Sequence, residues 1–180
     1  LRDILKQPAI LAFFTVCFLV ILSHGPYYTF YSIYLEQHGY SRTLIGQLWA
    51  LGVLAEVIVF IFMHRFIPRY GLRLILILSL LLSTLRWLLI GLFPNMITVL
   101  LFAQLLHAAS FGTFHAAAIA WVHQHFVGKN QARGQALYSS IGFGAGGVLG
   151  SLTSGYLWDN PGPTFTFVLA GISTLLATYI

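Results

Sequence analysis

Long apolar stretches alternate with short polar ones along the whole chain. Leu, Ile, Val, Phe and Ala fill runs of 18 or more residues, the length needed to cross roughly 30 Å of hydrocarbon. The pattern predicts spans over residues 8–35, 43–63, 72–93, 96–125, 131–157 and 163–180. All six are expected to be α-helices, because lipid offers no partner to an unpaired backbone group. The breaks EQHGYSR, HRFIPRYGLR, PNM, VGKNQ and DNPGP are polar or rich in Gly and Pro. Connections this short make neighbouring helices run antiparallel. The fold class expected is an all-α membrane protein, a bundle of six transmembrane helices.

Composition agrees. Of the 180 residues, 58% are hydrophobic and 7% charged, and the mean hydropathy is +0.85; a soluble domain carries about 25% charge. The principal partner is therefore the lipid bilayer. A net charge of +5 does not indicate nucleic acid, since the basic residues sit singly in short breaks and form no patch. Cys17 is the single cysteine, so neither an intrachain disulfide nor a cysteine metal site is possible. No cofactor and no metal are expected, because no His/Cys/carboxylate spacing suggests a cage. The first span lacks a small-residue cleavage site and is too long for a signal-peptide core. The last residue, Ile180, falls inside an apolar run, which leads us to expect a truncated chain.

Orientation follows from lysine and arginine. Arg2 and Lys6 flank the first span, Arg65, Arg69 and Arg73 lie between the second and third, and Lys129 and Arg133 between the fourth and fifth. Only Arg42 falls in an opposite break, beside the acidic Glu36, with Asp159 in another. Both termini are expected on the cytoplasmic side.

The fifth span carries two stripes of small residues at four-residue spacing: Gly142, Gly146, Gly150, and Gly147, Ser151, Gly155. Such stripes let another backbone approach closely. They fit packing inside this bundle, or contact with a second domain outside the chain. Gly46-Gln47 and Gly134-Gln135, about half a chain apart, are compatible with two inverted three-helix repeats.

The informative residues are the polar ones inside apolar runs. A charge near the bilayer centre costs about 2.5–3.5 kcal/mol on insertion scales and must meet a partner or water. Glu56 lies in LGVLAEVIVF and Arg86 in LLSTLRWLLI. They fit a buried ion pair that fixes helix register, or a titratable carboxylate answering to a cation and to substrate; we favour the second. His24 lies deep in the first span beside Gly25-Pro26, where proline removes a backbone donor. His107, Phe111 and His115 share one face of the fourth span. These histidines fit interhelical hydrogen bonding or proton carriage, whereas His123 and His125 fall at the membrane boundary. Tyr34 and Tyr31 suit an interfacial belt; Tyr27 and Tyr28 are candidates to line a polar cavity, with Trp49, Trp87 and Phe111 adding aromatic surface. Ser154-Gly155 lies in no nucleophile-elbow motif, and no TVGYG filter is present. An enzyme or a channel is therefore not expected.

The segments HGPYYTFYSIYLEQHGYS, LWALGVLAEVIVF, RW, QLLHAASFGTFH and RGQALYSS together resemble the 3-phenylpropionate permease group of the major facilitator superfamily. This group is distantly related to lactose permease and nucleoside–proton symporters. The resemblance covers nearly the whole chain and corresponds to the C-terminal six of twelve helices, making residues 1–180 one half of the fold. It implies a proton symporter of the bacterial inner membrane, working by alternating access with the site between this half and an N-terminal six-helix half. Glu56, Arg86 and His107 stand on the helices that carry the coupling and binding group in lactose permease-like carriers. The acidic residue expected just after the histidine is replaced by Ser110 and Phe111. His24 joins this set, with Tyr27, Tyr28, Tyr31, Phe111 and His115 as cavity-lining candidates. The segment HRFIPRYGLR resembles the superfamily's basic cytoplasmic loop through Arg65, Arg69, Gly71 and Arg73, with His64 where an acid is usual. The implied substrate is a small, aromatic organic acid such as 3-phenylpropionate, its carboxylate on Arg86 and its ring among the tyrosines. A sugar or nucleoside symporter, or a non-transporting half serving as an interaction module, are the alternatives.

Overall fold

A computed structural model describes residues 6–180; Arg2, used above for orientation, lies outside them. Every regular element among the described residues is helical. In chain order they are α1 (Pro8–Ser23), α2 (Gly25–Gln37), α3 (Arg42–Tyr70), α4 (Leu72–Leu92), α5 (Ile97–His107), α6 (Thr113–His125), α7 (Gln131–Tyr138), α8 (Gly147–Asp159) and α9 (Pro163–Ala177). A π-helical stretch, Ala108–Gly112, joins α5 to α6, and another, Ser139–Gly146, joins α7 to α8. The runs Pro8–Gln37, Arg42–Tyr70, Leu72–Leu92 and Ile97–His125 are long and apolar enough to cross a membrane. The fifth expected span is helical over 131–159 but wound partly as π-helix, and α9 is a shorter apolar helix of 15 residues.

The surface is inverted relative to a water-soluble protein. Leu54, Ile61 and Leu152 are each at least 60% exposed, while Arg86, His24 and Gln104 are fully buried. This is the distribution that hydrocarbon favours, since only apolar side chains face it without cost.

Small residues set the closest contacts. A Cβ on Gly25 would stand 2.2 Å from the Gly150 carbonyl oxygen, and one on Gly146 2.9 Å from that of Phe18. The stripe Gly142, Gly146, Gly150 therefore seats the first helical run directly on the fifth. Of the two readings of that stripe, packing inside the bundle is the one observed. Beside it, Thr29 donates to Ser151 Oγ at 3.1 Å and Phe30 stacks on Trp158 at 4.5 Å. Helix α9 lies against α4, with Gly91 making room for Phe167 and the Thr84 and Thr174 hydroxyls 2.8 Å apart. The run 97–125 sits between α3 and α4. Gly52 abuts Gln104 on one side, and Ser79 hydrogen-bonds Thr113 on the other.

Three apolar clusters result: two large ones, one toward each end of the bundle, and a small one of Met63, Ile75 and Ala117. The first gathers Tyr31, Tyr34, Leu48, Ile90, Leu100 and Phe167; the second gathers Ile10, Phe14, Phe114, Val122, Phe126 and Tyr138. Lys6, Arg65, Arg69, Arg73, Lys129 and Arg133 flank helix ends on the side of the second cluster, while Glu36, Arg42 and Asp159 lie on the side of the first.

Two expectations need correction. The segment HRFIPRYGLR is not a loop: α3 continues to Tyr70, so Arg65 and Arg69 are on its last turns and Arg73 on the first turn of α4. Arginine and histidine are adequate helix formers, so polar composition alone does not end a helix. Gly71 ends it by adopting φ 78°, a conformation open chiefly to glycine. Tyr31 and Tyr34 do not form an interfacial belt. Both are buried, and the Tyr34 hydroxyl donates to the Gly91 carbonyl at 3.2 Å. Side chains from neighbouring helices cover them: Trp49 and Gln104 meet Tyr31, and Trp158 and Phe167 pack on Tyr34.

Candidate functional site

Between the two large apolar clusters the bundle collects its ionisable groups. Arg86 comes from the middle of α4, where an apolar run leaves it no outward route to solvent. It is completely buried, and among the described residues no hydrogen-bond acceptor meets Nε, Nη1 or Nη2. Its guanidinium instead lies 4.1 Å from the Tyr27 ring centroid and 4.4 Å from that of Trp87. Stacking a desolvated cation on aromatic faces is worth about 2 kcal/mol or more, but it leaves all five N–H donors of the guanidinium unused. The group is thus a cation aimed at an acceptor the described residues do not supply.

Tyr27 is held in place from the neighbouring run. Its hydroxyl donates to Gln104 Oε1 at 2.9 Å, and Gln104 Nε2 donates to the Tyr31 hydroxyl at 2.6 Å. Gln104 is fully buried, and the bare Cα of Gly52 gives it space. Sequence reasoning passed over this residue, although a lone glutamine in ITVLLFAQLLH is the same kind of signal that singled out Glu56 and Arg86.

His24 occupies the interruption between α1 and α2 and is fully buried. Pro26 at the start of α2 cannot donate to the preceding turn, and His24 Nδ1 donates to the Val20 carbonyl at 2.7 Å. Its ring packs against Trp87 at 4.7 Å and Phe111 at 4.8 Å, 6.3 Å from His107. His24 Nε2 and His107 Nδ1 have no hydrogen-bond partner among the described residues.

His107, Phe111 and His115 do share a face, as their spacing predicts. The rings stack in sequence, with centroids 5.2 Å and then 6.1 Å apart. The π-helical stretch carries Phe111 and leaves Gly112 facing α3. There Glu56 lies against the glycine backbone: a Cβ on Gly112 would stand 3.0 Å from Glu56 Cγ. From this seat Glu56 Oε2 comes 3.6 Å from His107 Nε2.

The direct Glu56–Arg86 ion pair considered from sequence is absent. The two helices adjoin in sequence, but the run 97–125 stands between them and presents His107 to the carboxylate. The Glu56 side chain keeps 17% of its surface exposed, and the well-exposed Tyr28, Phe60 and Phe143 each stand near the Phe111 or His115 ring. Tyr28 lies 6.3 Å from Trp49 and 6.4 Å from Phe111. Of the cavity-lining candidates, Tyr28, Phe111 and His115 lie side by side near Glu56, Tyr27 forms the floor under Arg86, and Tyr31 stands behind Tyr27. The glycine stripe and the residues Arg65, Arg69, Gly71 and Arg73 belong to packing and to the helix ends, away from this cluster.

An all-helical chain with an apolar exterior and ionisable groups gathered between two apolar cores is a polytopic integral membrane protein. The chain belongs to the MFS_1 like family of the major facilitator superfamily, whose profile it matches over residues 1–169. It is 32% identical over 148 residues to the "Probable 3-phenylpropionic acid transporter" of Escherichia coli (strain K12), covering 82% of this chain and 38% of that protein. It is 26% identical over 174 residues to the "Uncharacterized transporter YwbF" of Bacillus subtilis (strain 168), covering 97% of this chain and 43% of that protein. The chain thus spans less than half the length of these relatives. No solved structure matches it significantly.

Proposed function

We propose that this chain is the C-terminal six-helix half of a proton-coupled carrier for a small aromatic organic acid. The observation that carries the reading is Arg86: a fully buried guanidinium beside the rings of Tyr27 and Trp87, with no acceptor among the described residues. A substrate carboxylate would satisfy it bidentately, and Tyr27, Trp87 and Tyr28 would offer flat surface to an adjoining ring. The relative named for 3-phenylpropionic acid supports this substrate class.

Coupling would run through Glu56 and His107. The carboxylate and the imidazole stand 3.6 Å apart, and a small side-chain movement would bring them within hydrogen-bond distance, where they would share one proton. Whichever form prevails depends on the charge brought next to them. Substrate on Arg86 neutralises a nearby cation, which makes protonation of the pair less unfavourable. Binding of acid and of proton would then favour each other, as reciprocity of linked sites requires. His24, between Trp87 and His107, would donate or accept the remaining hydrogen bond. Alternating access would move this half against an N-terminal half of six helices across the face that carries Tyr28, Glu56 and Phe143. The sixfold span count, an inner-membrane location and cytoplasmic termini are part of the same proposal, the last resting on the basic end of the bundle.

The test uses the full-length carrier in proteoliposomes. Arg86→Ala should weaken uptake of 3-phenylpropionate far more than that of an uncharged analogue, and Glu56→Gln should abolish substrate-driven proton uptake while substrate still binds. Equal loss for charged and uncharged compounds in Arg86→Ala would make the arginine a folding element and remove the basis of the reading.

A further inference from the structure

The ladder His107–Phe111–His115 extends past the point where Glu56 meets it. Glu56 is seated on Gly112. His107 lies on the N-terminal side of that glycine and His115 one turn beyond it. Residues three apart share a helix face, and side chains of a helix lean back toward its N-terminus, which tips the His115 ring toward Gly112. The opposing helix gives the same register: Phe60, one turn on from Glu56, has its ring 6.4 Å from that of His115. Glu56 therefore lies on the face of the run that carries both imidazoles, 3.6 Å from His107 Nε2. His115 is beyond ion-pair distance, on the other side of a glycine that has no side chain to block a turn toward it.

His115 has a second contact that His107 lacks. Its Nδ1 is 2.8 Å from the hydroxyl of Tyr138, a buried residue of α7. When Nδ1–H donates to that oxygen, the lone pair of the neutral ring is at Nε2. Helix α3 brings Glu56; the run 131–159 brings Tyr138 and the uncharged Phe143, 5.8 Å away. The ring's own run brings His107, α4 reaches only Thr113 through Ser79, and Cys17 of α1 lies in the cluster behind Tyr138. Among the described residues, Glu56 is the one carboxylate in this set.

We propose that His115 is a second proton station for Glu56, on the side of the site nearer the basic end of the bundle, with Tyr138 as the residue that positions it. This rests on the reading above, in which Glu56 carries the coupled proton. Protonated Glu56 turns from His107 toward His115. Its O–H bond breaks, an N–H bond forms at His115 Nε2, and the products are a carboxylate and an imidazolium. The imidazolium gives the same proton to water reaching its partly buried ring from the basic end. His115 returns to its neutral tautomer and Glu56 is free to take the next proton. Tyr138 loses no proton in the cycle; it holds Nδ1–H so that Nε2 stays the basic atom.

The experiment compares wild type, His115→Gln, Tyr138→Phe and Glu56→Gln of the full-length carrier in proteoliposomes. Two quantities are read: net proton-coupled uptake, and substrate exchange, which needs no proton release. General acid–base groups contribute about 10²–10⁴-fold, so His115→Gln should lower net uptake at least about tenfold with exchange near wild type. Tyr138→Phe should keep exchange and displace the pH profile of net uptake, because Nδ1–H loses its acceptor. Full net uptake in His115→Gln alongside its loss in Glu56→Gln would overturn the second station and leave the proposed coupling intact. Loss of exchange together with uptake in His115→Gln would make the ring a packing or binding element and equally overturn it. A wild-type carrier that moves substrate without protons would instead overturn the reading beneath.

Discussion

Glu56 can reach His107 because residue 112 has no side chain. A methyl group at Gly112 would stand 3.0 Å from Glu56 Cγ, tight enough that the Glu56 side chain would have to shift by a few tenths of an ångström. The glycine thus sets the position of a carboxylate on another helix, and the carboxylate's 3.6 Å approach to the imidazole follows from it.

Gly112→Ala should therefore act on coupling more than on folding. Overpacking costs about 1–3 kcal/mol, and the low end applies where the crowded atom belongs to a side chain that can rotate. We expect a small fall in melting temperature in detergent, with substrate-driven proton movement reduced severalfold in proteoliposomes. A variant that melts like wild type and couples normally would show that Glu56 needs no such seat.

The contact between the first and fifth helical runs admits no such adjustment. A Cβ on Gly25 would lie 2.2 Å from the Gly150 carbonyl oxygen, and one on Gly150 2.5 Å from that of Leu22; backbone atoms cannot rotate away. Gly25→Ala and Gly150→Ala should each destabilise by about 3 kcal/mol or more. Gly155→Ala, whose added carbon would meet only Phe30 at 3.9 Å, should be tolerated to within about 0.5 kcal/mol. Thermal melting of the three variants decides this. Similar melting of Gly150→Ala and Gly155→Ala would exclude the close packing described.

Gln104 joins two phenols that would otherwise be buried without partners. Gln104→Leu removes the acceptor of Tyr27 and the donor to Tyr31, at a cost of about 1–3 kcal/mol for the stranded hydroxyls. Adding Tyr27→Phe should return part of that loss, because the stranded hydroxyl goes with it. The same variant should weaken binding of an aromatic acid, since the ring beneath Arg86 is no longer tethered. Melting curves of the two single variants and the double variant give the coupling energy; strict additivity would mean the bond contributes nothing.

How much of this was legible beforehand follows from the kind of signal each feature leaves. Apolar runs long enough to span a bilayer marked the helices, and Gly71, the glycine that ends α3, stood within the segment already recognised as a break. Glu56, Arg86 and His107 were visible because lipid makes a polar residue conspicuous wherever it faces. Their partners were not. Which imidazole meets which carboxylate depends on the run 97–125 lying between α3 and α4, a lateral arrangement that periodicity along one helix does not encode. The π-helical stretches, which turn Phe111 and Gly112 toward the site, have only small residues such as AASFG to announce them, and small residues serve many other purposes. Tyr31 and Tyr34 misled for a related reason: tyrosine near a helix end suits a membrane boundary until a neighbouring helix covers it.

Arg86→Lys separates charge from shape at the centre of the site. The planar guanidinium lies 4.1 Å from the Tyr27 centroid and 4.4 Å from that of Trp87, a position that suits a flat, weakly hydrated cation. Lysine keeps the charge but is a compact ammonium that cannot stack or make two parallel hydrogen bonds to a carboxylate. If charge alone attracts the substrate, the variant should bind an organic acid about as well as wild type. We expect instead a loss of roughly tenfold to a hundredfold, about 1.4–2.8 kcal/mol, with binding of an uncharged analogue little changed. Isothermal titration of the purified full-length carrier with the acid and its amide measures both. Retained affinity for the acid would show that the aromatic frame around residue 86 plays no part in recognising it.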